Sequence, residues 1–220
     1  MLSPAIRPAL ADDFATIALL NHSVVNLTSP MDVARIQQLH AMSSYHRVIA
    51  HDSQLLAFLL VLGPDCGYDS VNYQWFDQRY NDFAYIDRIV VRDGFRGQGL
   101  GTILYNDLFT WANSQKIRNV VCEYNVEPLN EASQKFHRVL GFQEVSLETI
   151  GQAKCVSMQL RILTGERALN LDGRLCNLLC RNKSRSNRTI TDGDLVFYCS
   201  RWFSIVVGKL MLQSIIKFDV

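Results

Sequence analysis

Apolar residues recur along most of the chain in short runs that predict a β-sheet. Alternating or continuous apolar runs predict strands at 6–9, 45–51, 55–62, 83–91, 120–124, 142–150 and 154–162. The third of these runs, Leu-Leu-Ala-Phe-Leu-Leu-Val-Leu, is apolar on both faces, which is typical of a central strand. Apolar residues at helical spacing predict helices at 14–24, 29–44, 99–114 and 129–140.

The order of these elements predicts an α/β sheet that helices cover on both faces. The predicted domain spans residues 3–163. The alternation of apolar residues ends near its end, and 164–220 is expected to be a C-terminal extension in which a basic linker at 181–188 precedes an apolar segment at 195–216. Residues 63–81, between two strands, are predicted to form a long loop rich in aromatic side chains.

Composition narrows the choice of partners and compartment. The chain is 48% hydrophobic and 20% charged, with a formal net charge of +1, so a nucleic-acid partner is not expected. The N-terminal residues lack a basic stretch followed by an apolar one, and a cytoplasmic location is therefore expected. The six cysteines are scattered, so we expect reduced thiols and no metal site.

The apolar segment at 195–216 leaves several readings open. It is long enough to cross a bilayer, but Arg201 and Lys209 interrupt it. Membrane spanning, surface attachment or packing on a partner through an amphipathic face, and an appended extension without any of these roles all remain alternatives. A homodimer is a further alternative that the sequence leaves open.

The connection between the strand 83–91 and the next helix carries the strongest chemical signal. It reads Arg-Asp-Gly-Phe-Arg-Gly-Gln-Gly-Leu-Gly, with Arg96 followed by glycines at 97, 99 and 101. Glycine permits positive φ and lets the backbone approach a ligand closely. The N-terminus of a helix presents free N–H groups and favours a phosphate. The sequence therefore predicts a phosphate-binding turn.

Other interpretations of this turn fit the spacing less well. A dinucleotide-binding turn needs G-x-G-x-x-G, whereas these glycines are spaced G-x-G-x-G. A P-loop needs Gly-Lys followed by Ser or Thr, and that motif is missing here. A glycine-rich turn that binds no ligand is the remaining alternative.

Two blocks of residues resemble the GNAT acetyltransferase superfamily. Arg96, Gly99 and Gly101 are similar to its acyl-CoA signature R/Q-x-x-G-x-G/A. A second block is similar to its N-x-x-A/S-x-x-F/L-Y-x-x-x-G-F motif, and consists of Asn130, Ser133, Phe136, His137, Gly141 and Phe142. The resemblance covers roughly residues 3–163. It implies a mixed, splayed central sheet of about seven strands flanked by about four helices, with acetyl-CoA as co-substrate.

The resemblance also implies which residues bind acetyl-CoA in the splay between two strands. The backbone of Ile89, Val90 and Val91 would bond the pantetheine arm. The pyrophosphate would lie on the amides of Arg96, Gly97, Gln98, Gly99, Leu100, Gly101 and Thr102. The thiol end and the far side of the arm would contact Asn130, Ser133 and Phe136, although Phe136 is equally suited to the core.

Acyl transfer to an amine needs a base, because a protonated amine cannot attack the thioester. Asp87 is the first candidate, since strand alternation is expected to place it on the face of Tyr85 and Ile89. Glu123 on the partner strand is the second candidate. For each carboxylate the alternative is an ion pair with a nearby arginine such as Arg88.

The departing thiolate raises the question of a proton donor. Family members commonly carry tyrosine at the position of His137. A histidine with an ordinary pKa near 6.5 is an easier donor than a phenol, but it is shorter. A thiolate with a pKa near 8.5 hardly needs an acid, and packing or substrate contact are the other roles for His137.

The aromatic segment 63–81 is expected to lie on the acceptor side. Its side chains would either form a satellite core or wall a pocket, with Tyr73, Trp75, Phe76 and the nearby Tyr85 as candidate substrate contacts. Interleaved acids at Asp69, Asp77 and Asp82 would suit a cationic amine.

The resemblance and these residues together predict an enzyme. It would transfer an acetyl group from acetyl-CoA directly to a primary amine in a ternary complex, with a small amine or an amino acid as the preferred acceptor. The alternatives are a non-catalytic module that senses acyl-CoA, and an adaptor that works through the basic and apolar tail.

Overall fold

The computed structural model describes residues 5–26, 28–52, 54–151 and 154–163. They form one seven-stranded sheet in the order β1-β2-β3-β4-β5-β7-β6. The strands are β1 (Ala5–Pro8), β2 (Ser43–His51), β3 (Gln54–Leu62), β4 (Phe83–Val91), β5 (Asn119–Glu127), β6 (Gln143–Ile150) and β7 (Lys154–Ile162). All neighbouring pairs are antiparallel except β4 and β5, which are parallel.

Five helices cover the two faces of this sheet. They are α1 (Phe14–His22), α2 (Val33–Met42), α3 (Val71–Asp77), α4 (Leu100–Ser114) and α5 (Glu131–Val139). One core lies under α1, α2 and α3, and the other lies under α4 with α5 packed at its margin. The strand β3 is apolar on both faces because it contributes side chains to both cores, as the sequence predicts.

The sheet opens between β4 and β5. Within the described residues, the parallel pairing covers only Phe83–Tyr85 against 119–121. Beyond this point β4 continues to pair with β3, and β5 continues to pair with β7 as far as Glu127. The facing backbone edges of the two strands therefore separate, which confirms the splay that the family resemblance implies.

A bulge in β4 changes which side chains share a face. The register with β3 shifts between Leu60 and Val61, because Leu60 faces Arg88 while Val61 faces Ile86. Asp87 is the extra residue, and it lies on the same face as Tyr85. Ile89 packs toward α4 on the opposite face, so the predicted shared face of Asp87 and Ile89 is wrong.

The predicted loop at 63–81 is also corrected. It contains α3, whose first turn is capped by the side chain of Ser70 accepting from the backbone N–H of Tyr73. The remaining elements match the predicted strands and helices to within a few residues, with five helices in place of about four. The predicted extension 164–220 and its apolar segment lie outside the described residues, so the domain boundary stays a prediction.

Candidate functional site

The turn between β4 and α4 has a backbone that only glycine adopts readily. Gly97 has φ +74° and Gly99 has φ +82°, both in the left-handed region. Gly99 is the N-cap residue of α4. The sequence places glycine at these positions because a side chain would strain the backbone on entry to the helix.

The same glycines leave the start of α4 open to a ligand. A Cβ atom at Gly97 or Gly99 would meet no heavy atom of the described residues within 4 Å. No side chain of the described residues caps the helix at Gly99, so the first-turn amides of α4 have no side-chain acceptor there. Bare amides at the positive end of a fifteen-residue helix favour an anion, and this cradle fits a pyrophosphate.

Side chains around the cradle have defined positions. The Arg96 guanidinium lies 3.0 Å from Asp93 Oδ1 and donates to the carbonyl of Val91. The amide of Gln98 donates to the carbonyl of Gly94 at 3.0 Å. The side chain of Leu100 is buried in the core, so only its backbone can face a ligand. Thr102 is exposed on the first turn of α4.

The strand edge next to the cradle is suited to hold an extended ligand. Ile89, Val90 and Val91 pair with Leu59, Phe58 and Ala57 of β3 on one side. On the other side, no residue of β5 in the described part of the chain pairs with them. Apart from the Val91 carbonyl, which accepts from Arg96, backbone groups on this open side of β4 are available to a ligand, and their bonding of a pantetheine arm remains a prediction.

Phe136 of α5 packs directly against Gly101 of α4. A Cβ atom at Gly101 would lie 3.2 Å from Phe136 Cζ and 3.4 Å from Cε2. The ring of Phe136 also meets Tyr105 edge-on with centroids 5.0 Å apart. Gly101 thus allows the close approach of the two helices. Phe136 packs in the core, one of the two roles that the sequence allowed, and its contact with the pantetheine arm remains a prediction.

We expect Gly101→Val to weaken this helix contact. The added side chain overpacks the site and should lower the free energy of unfolding by about 1–3 kcal/mol in urea denaturation. Adding Phe136→Leu should recover part of that loss, because the smaller side chain makes room. If the effects of the two substitutions on the free energy of unfolding are additive in a double-mutant cycle, the contact with Phe136 does not limit the size of the side chain at residue 101.

Asn130 and Ser133 organise the start of α5. The side chain of Asn130 accepts from the backbone N–H of Ser133 at 3.1 Å and so caps the helix. The backbone N–H of Asn130 donates to the carbonyl of Asn125. The family-like asparagine therefore has a structural role here, and contacts of these two residues with the cofactor remain predictions.

Glu123 lies where the sheet opens, two residues beyond Val121, the last residue of β5 that pairs with β4. Its Oε1 accepts from Asn72 Nδ2 at 2.8 Å and from the Tyr85 hydroxyl at 3.1 Å. Its Oε2 is buried and has no hydrogen-bond partner among the described residues. Burial raises the pKa of Glu123 to about 7, although the bonds from Asn72 and Tyr85 oppose the shift.

Asp87, in contrast, is fully engaged. Its Oδ2 pairs with Arg88 Nε, and its Oδ1 accepts from the Tyr68 hydroxyl at 2.6 Å. The side chains of Asp87 and Arg88 are 4% and 5% exposed. Arg88 also donates to Asn21 and Ser29. The geometry favours the ion-pair alternative for Asp87 over the role of base.

We expect Asp87→Ala to destabilise the fold strongly. It leaves the buried guanidinium of Arg88 without its counter-ion, and breaking one side of a buried pair costs about 3–5 kcal/mol of unfolding free energy. Urea denaturation measures this loss, and Arg88→Met in the same chain should recover much of it. A loss below about 1 kcal/mol, as for an exposed pair, would contradict the assignment.

His137 is enclosed by other side chains. Its Nδ1 lies 2.8 Å from the carbonyl of Ser133, which can only accept, so Nδ1 carries the proton. Its Nε2 therefore accepts from the Tyr105 hydroxyl at 2.8 Å. The residue is 4% exposed, and burial lowers its pKa to about 4. This arrangement favours the packing role of His137, because neither nitrogen has a proton free to donate.

The aromatic candidates for substrate binding divide into two groups. Tyr73, Phe76 and Tyr85 are buried in the core, so the predicted pocket wall is wrong for the side chains of Tyr73 and Phe76. The reason is the amphipathic α3, which turns both rings inward. The Tyr85 hydroxyl reaches Glu123, whereas Trp75 is half-buried and donates to Glu148 at 2.8 Å.

The three interleaved acids serve the fold. Asp69 pairs with Arg35, and Asp77 accepts from the backbone of Asp65 and from Tyr73. Asp82 accepts from the backbone of Arg118. Their predicted role of attracting a cationic amine is therefore not supported, because each is already bonded within the protein.

Sequence reasoning missed two residues of this site, Asn72 and Tyr68. Both belong to the segment predicted to be a loop, and both bond a candidate carboxylate. The signal that could have found Asn72 is the cap at Ser70, which starts a helix. Their partners lie 51 and 19 residues away along the chain, so no local pattern indicates the contacts.

Neither a membrane-spanning helix nor a metal-binding cluster is found among the described residues. None of their helices combines the length and the hydropathy that spanning a bilayer needs. Nor do the described ranges contain three or more His, Cys, Asp or Glu side chains arranged to hold a metal ion.

Comparison with known proteins gave matches in sequence and structure. The model of the acetyltransferase (GNAT) family matches residues 11–142. No curated protein has a significant match in sequence.

Many solved structures share the fold. Ard1 from Thermoplasma volcanium superposes with a TM-score of 0.60 at 18% identity, covering 73% of this chain and 98% of that one. NAA60 from Arabidopsis thaliana, solved with a bisubstrate analogue, gives 0.59 at 15% identity, covering 74% and 99%. YncA from Salmonella typhimurium, titled a putative acetyltransferase with its cofactor acetyl-CoA, gives 0.56 at 18% identity, covering 73% and 94%. At these identities the likeness concerns the fold.

Proposed function

The chain belongs to the GNAT acetyltransferase family, and on that premise we propose that it transfers an acetyl group from acetyl-CoA to a primary amine, with Glu123 as the general base. One observation carries the choice of base. The Glu123 carboxyl group lies where β4 and β5 separate, and only the neutral side chains of Asn72 and Tyr85 bond it. It keeps one oxygen, Oε2, for a substrate.

The chain's own groups would hold the co-substrate along this opening. The amides at the start of α4 would bind the pyrophosphate, with Arg96 beside them. The backbone of Ile89 to Val91 would bond the pantetheine arm, and Gly101 with Phe136 would pack behind it. Acetyl-CoA supplies the activated acetyl thioester to this arrangement.

Glu123 would accept a proton from the acceptor amine. The neutral amine nitrogen forms a bond to the thioester carbonyl carbon, and the carbon–sulfur bond breaks. One N–H proton passes to Glu123 Oε2, and the departing thiolate takes a proton from solvent. A carboxylate with a pKa of about 7 is ionised about half the time at neutral pH, which suits a general base.

A separate acid for the thiolate is not required. A thiolate whose thiol has an ordinary pKa near 8.5 departs readily without a general acid. His137 is engaged by Ser133 and Tyr105, so we assign it no proton transfer.

Beyond its amine group, the acceptor is less narrowly defined than the sequence indicated, so more classes of amine need to be tested. A small amine or an amino acid is the acceptor we propose first, with Trp75 as the half-buried aromatic beside Glu148. The support from Asp69, Asp77 and Asp82 is gone, because the fold uses them. Two similar structures are named as ribosomal-protein alanine N-acetyltransferases, so a peptide with an N-terminal alanine belongs in the panel.

The test follows free thiol and acetylated product. Purified protein is incubated with acetyl-CoA and separate amines, namely amino acids, polyamines and an alanine-terminated peptide. We expect one class to release CoA in proportion to its acetylated product. Tight binding of acetyl-CoA with no product from any amine would favour the sensor, and would contradict the proposed transfer.

A further inference from the structure

Two acceptor atoms at the opening of the sheet have no hydrogen-bond partner among the described residues. They are Asn72 Oδ1 and Glu123 Oε2, and both are buried. Their side chains contact each other through Asn72 Nδ2 and Glu123 Oε1, which are 2.8 Å apart. A buried acceptor without a donor is costly, so a group that brings two donors to this place would bind favourably.

The orientation of the Asn72 amide follows from its neighbour. An ionised carboxylate can only accept hydrogen bonds, so the NH₂ group of Asn72 must face Glu123. The amide oxygen consequently points away from Glu123 Oε1 and stays available. The second oxygen of Glu123 is available in the same way, so the pair offers two unpaired acceptors, Asn72 Oδ1 and Glu123 Oε2.

The fold holds Asn72 firmly in this position. It lies on α3 between Ser70, which caps the helix, and Tyr73, which is 1% exposed. The Tyr73 hydroxyl lies 2.8 Å from the carbonyl oxygen of Gly63, within hydrogen-bond distance. Phe76, one turn further along α3, is fully buried. The helix is therefore anchored in the core and presents Asn72 to β5 without freedom to withdraw.

We propose that Asn72 is a specificity-determining residue that selects primary amines, with its Oδ1 accepting one N–H of the acceptor while Glu123 Oε2 accepts the other. This inference rests on the proposed acetyl transfer. A neutral primary amine has two N–H groups and one lone pair. When the two acceptors bond both N–H groups, the nitrogen lone pair remains free to attack the thioester carbon.

The arrangement discriminates against other nucleophiles. A neutral secondary amine has one N–H and an alcohol has one O–H, so each leaves one of the two buried acceptors unpaired. A site built to bond a polar group rejects analogues that lack it, because the unpaired protein group is costly. Asn72 thus contributes to the choice of acceptor, whereas Glu123 takes the proton.

The experiment compares two substitutions of similar size. Asn72→Leu removes the acceptor. Asn72→Asp keeps it on one oxygen, while the other oxygen, when protonated, donates to Glu123 as the amide does. For each variant and for the wild type, kcat/KM is measured with the best primary amine of the panel and with its N-methyl derivative. Both substrates use the same base, so any change in the basicity of Glu123 cancels from the ratio of the two values.

We expect the preference for the primary amine to fall about tenfold in Asn72→Leu, the effect of one lost hydrogen bond of this kind, and to persist in Asn72→Asp. An unchanged ratio in Asn72→Leu, with the wild type active, would overturn the role of Asn72 alone. A ratio that falls equally in both variants would also overturn it. A wild-type protein that acetylates no amine would overturn the proposed function itself.

Discussion

Gly99→Val should reduce the affinity for acetyl-CoA by at least about a hundredfold, since it combines backbone strain with a blocked phosphate position. Gly99 has φ +82° at the N-cap of α4, a conformation that a β-branched residue adopts only under strain. The space beside its Cα is open within the described residues, and a valine side chain would occupy it. Titration calorimetry with acetyl-CoA measures the change.

A matched control separates strain from lost binding. Gly151 has φ +65° in the turn between β6 and β7, and a Cβ atom there also meets nothing within 4 Å among the described residues. Gly151→Val should therefore lower stability by a similar amount but leave the affinity unchanged. Equal loss of affinity in the two variants would show that general destabilisation, and not the phosphate cradle, explains the effect.

Glu123→Gln should lower kcat/KM by about 10²–10⁴-fold, the usual contribution of a positioned base. When the rate is expressed per neutral amine, the wild-type value should rise with pH and level off above about 7, because the carboxyl group must be ionised to accept a proton. The variant should lose this inflection. Steady-state kinetics between pH 5.5 and 9, on the order of one point per half unit, would define both profiles.

Glu123→Gln should lower activity but should not lower the stability of the fold. The pKa of Glu123 is raised in the folded state from the ordinary value, so the folded protein binds its proton more tightly than the unfolded chain does. Stability from this group is full at acid pH and is lost as pH rises through about 7. Glu123→Gln removes that loss, and thermal unfolding above neutral pH should show a variant at least as stable as the wild type.

A control for Glu123 is Glu144→Gln. Glu144 is an exposed residue of β6 that accepts from Ser157, and no part of the proposed site includes it. Its substitution should leave the pH profile unchanged. A rate for Glu123→Gln within about threefold of the wild type would eliminate Glu123 as the base, since a positioned base contributes far more.

The strands and the glycine turn were predictable because their causes are local. The apolar run of β3 predicts a buried strand, and the glycines at 97 and 99 predict a left-handed turn. Neither prediction depends on a distant residue. The family model and the solved structures agree with the predicted fold. Helix α3 was missed because it is only seven residues long, and its apolar positions do not repeat over enough turns.

The roles of the two carboxylates could not be predicted for a different reason. The bulge in β4 and the contact between Asp87 and Arg88 arise when strands pair, and Arg88 then meets Ser29 from 59 residues away. Glu123 acquires its environment from Asn72 in the same way. Sequence alternation alone ranked Asp87 first, whereas burial and hydrogen bonds place the free oxygen on Glu123.

A structure of the acetyl-CoA complex would show whether Glu123 can act on an amine at the thioester, through the distance from Glu123 Oε2 to the thioester carbonyl carbon. An amine nitrogen between them would be about 3 Å from each, so we predict a separation below roughly 6.5 Å, with the pyrophosphate on the first-turn amides of α4. A thioester beyond about 8 Å from Oε2, or a pyrophosphate bound away from Gly99, would contradict the account.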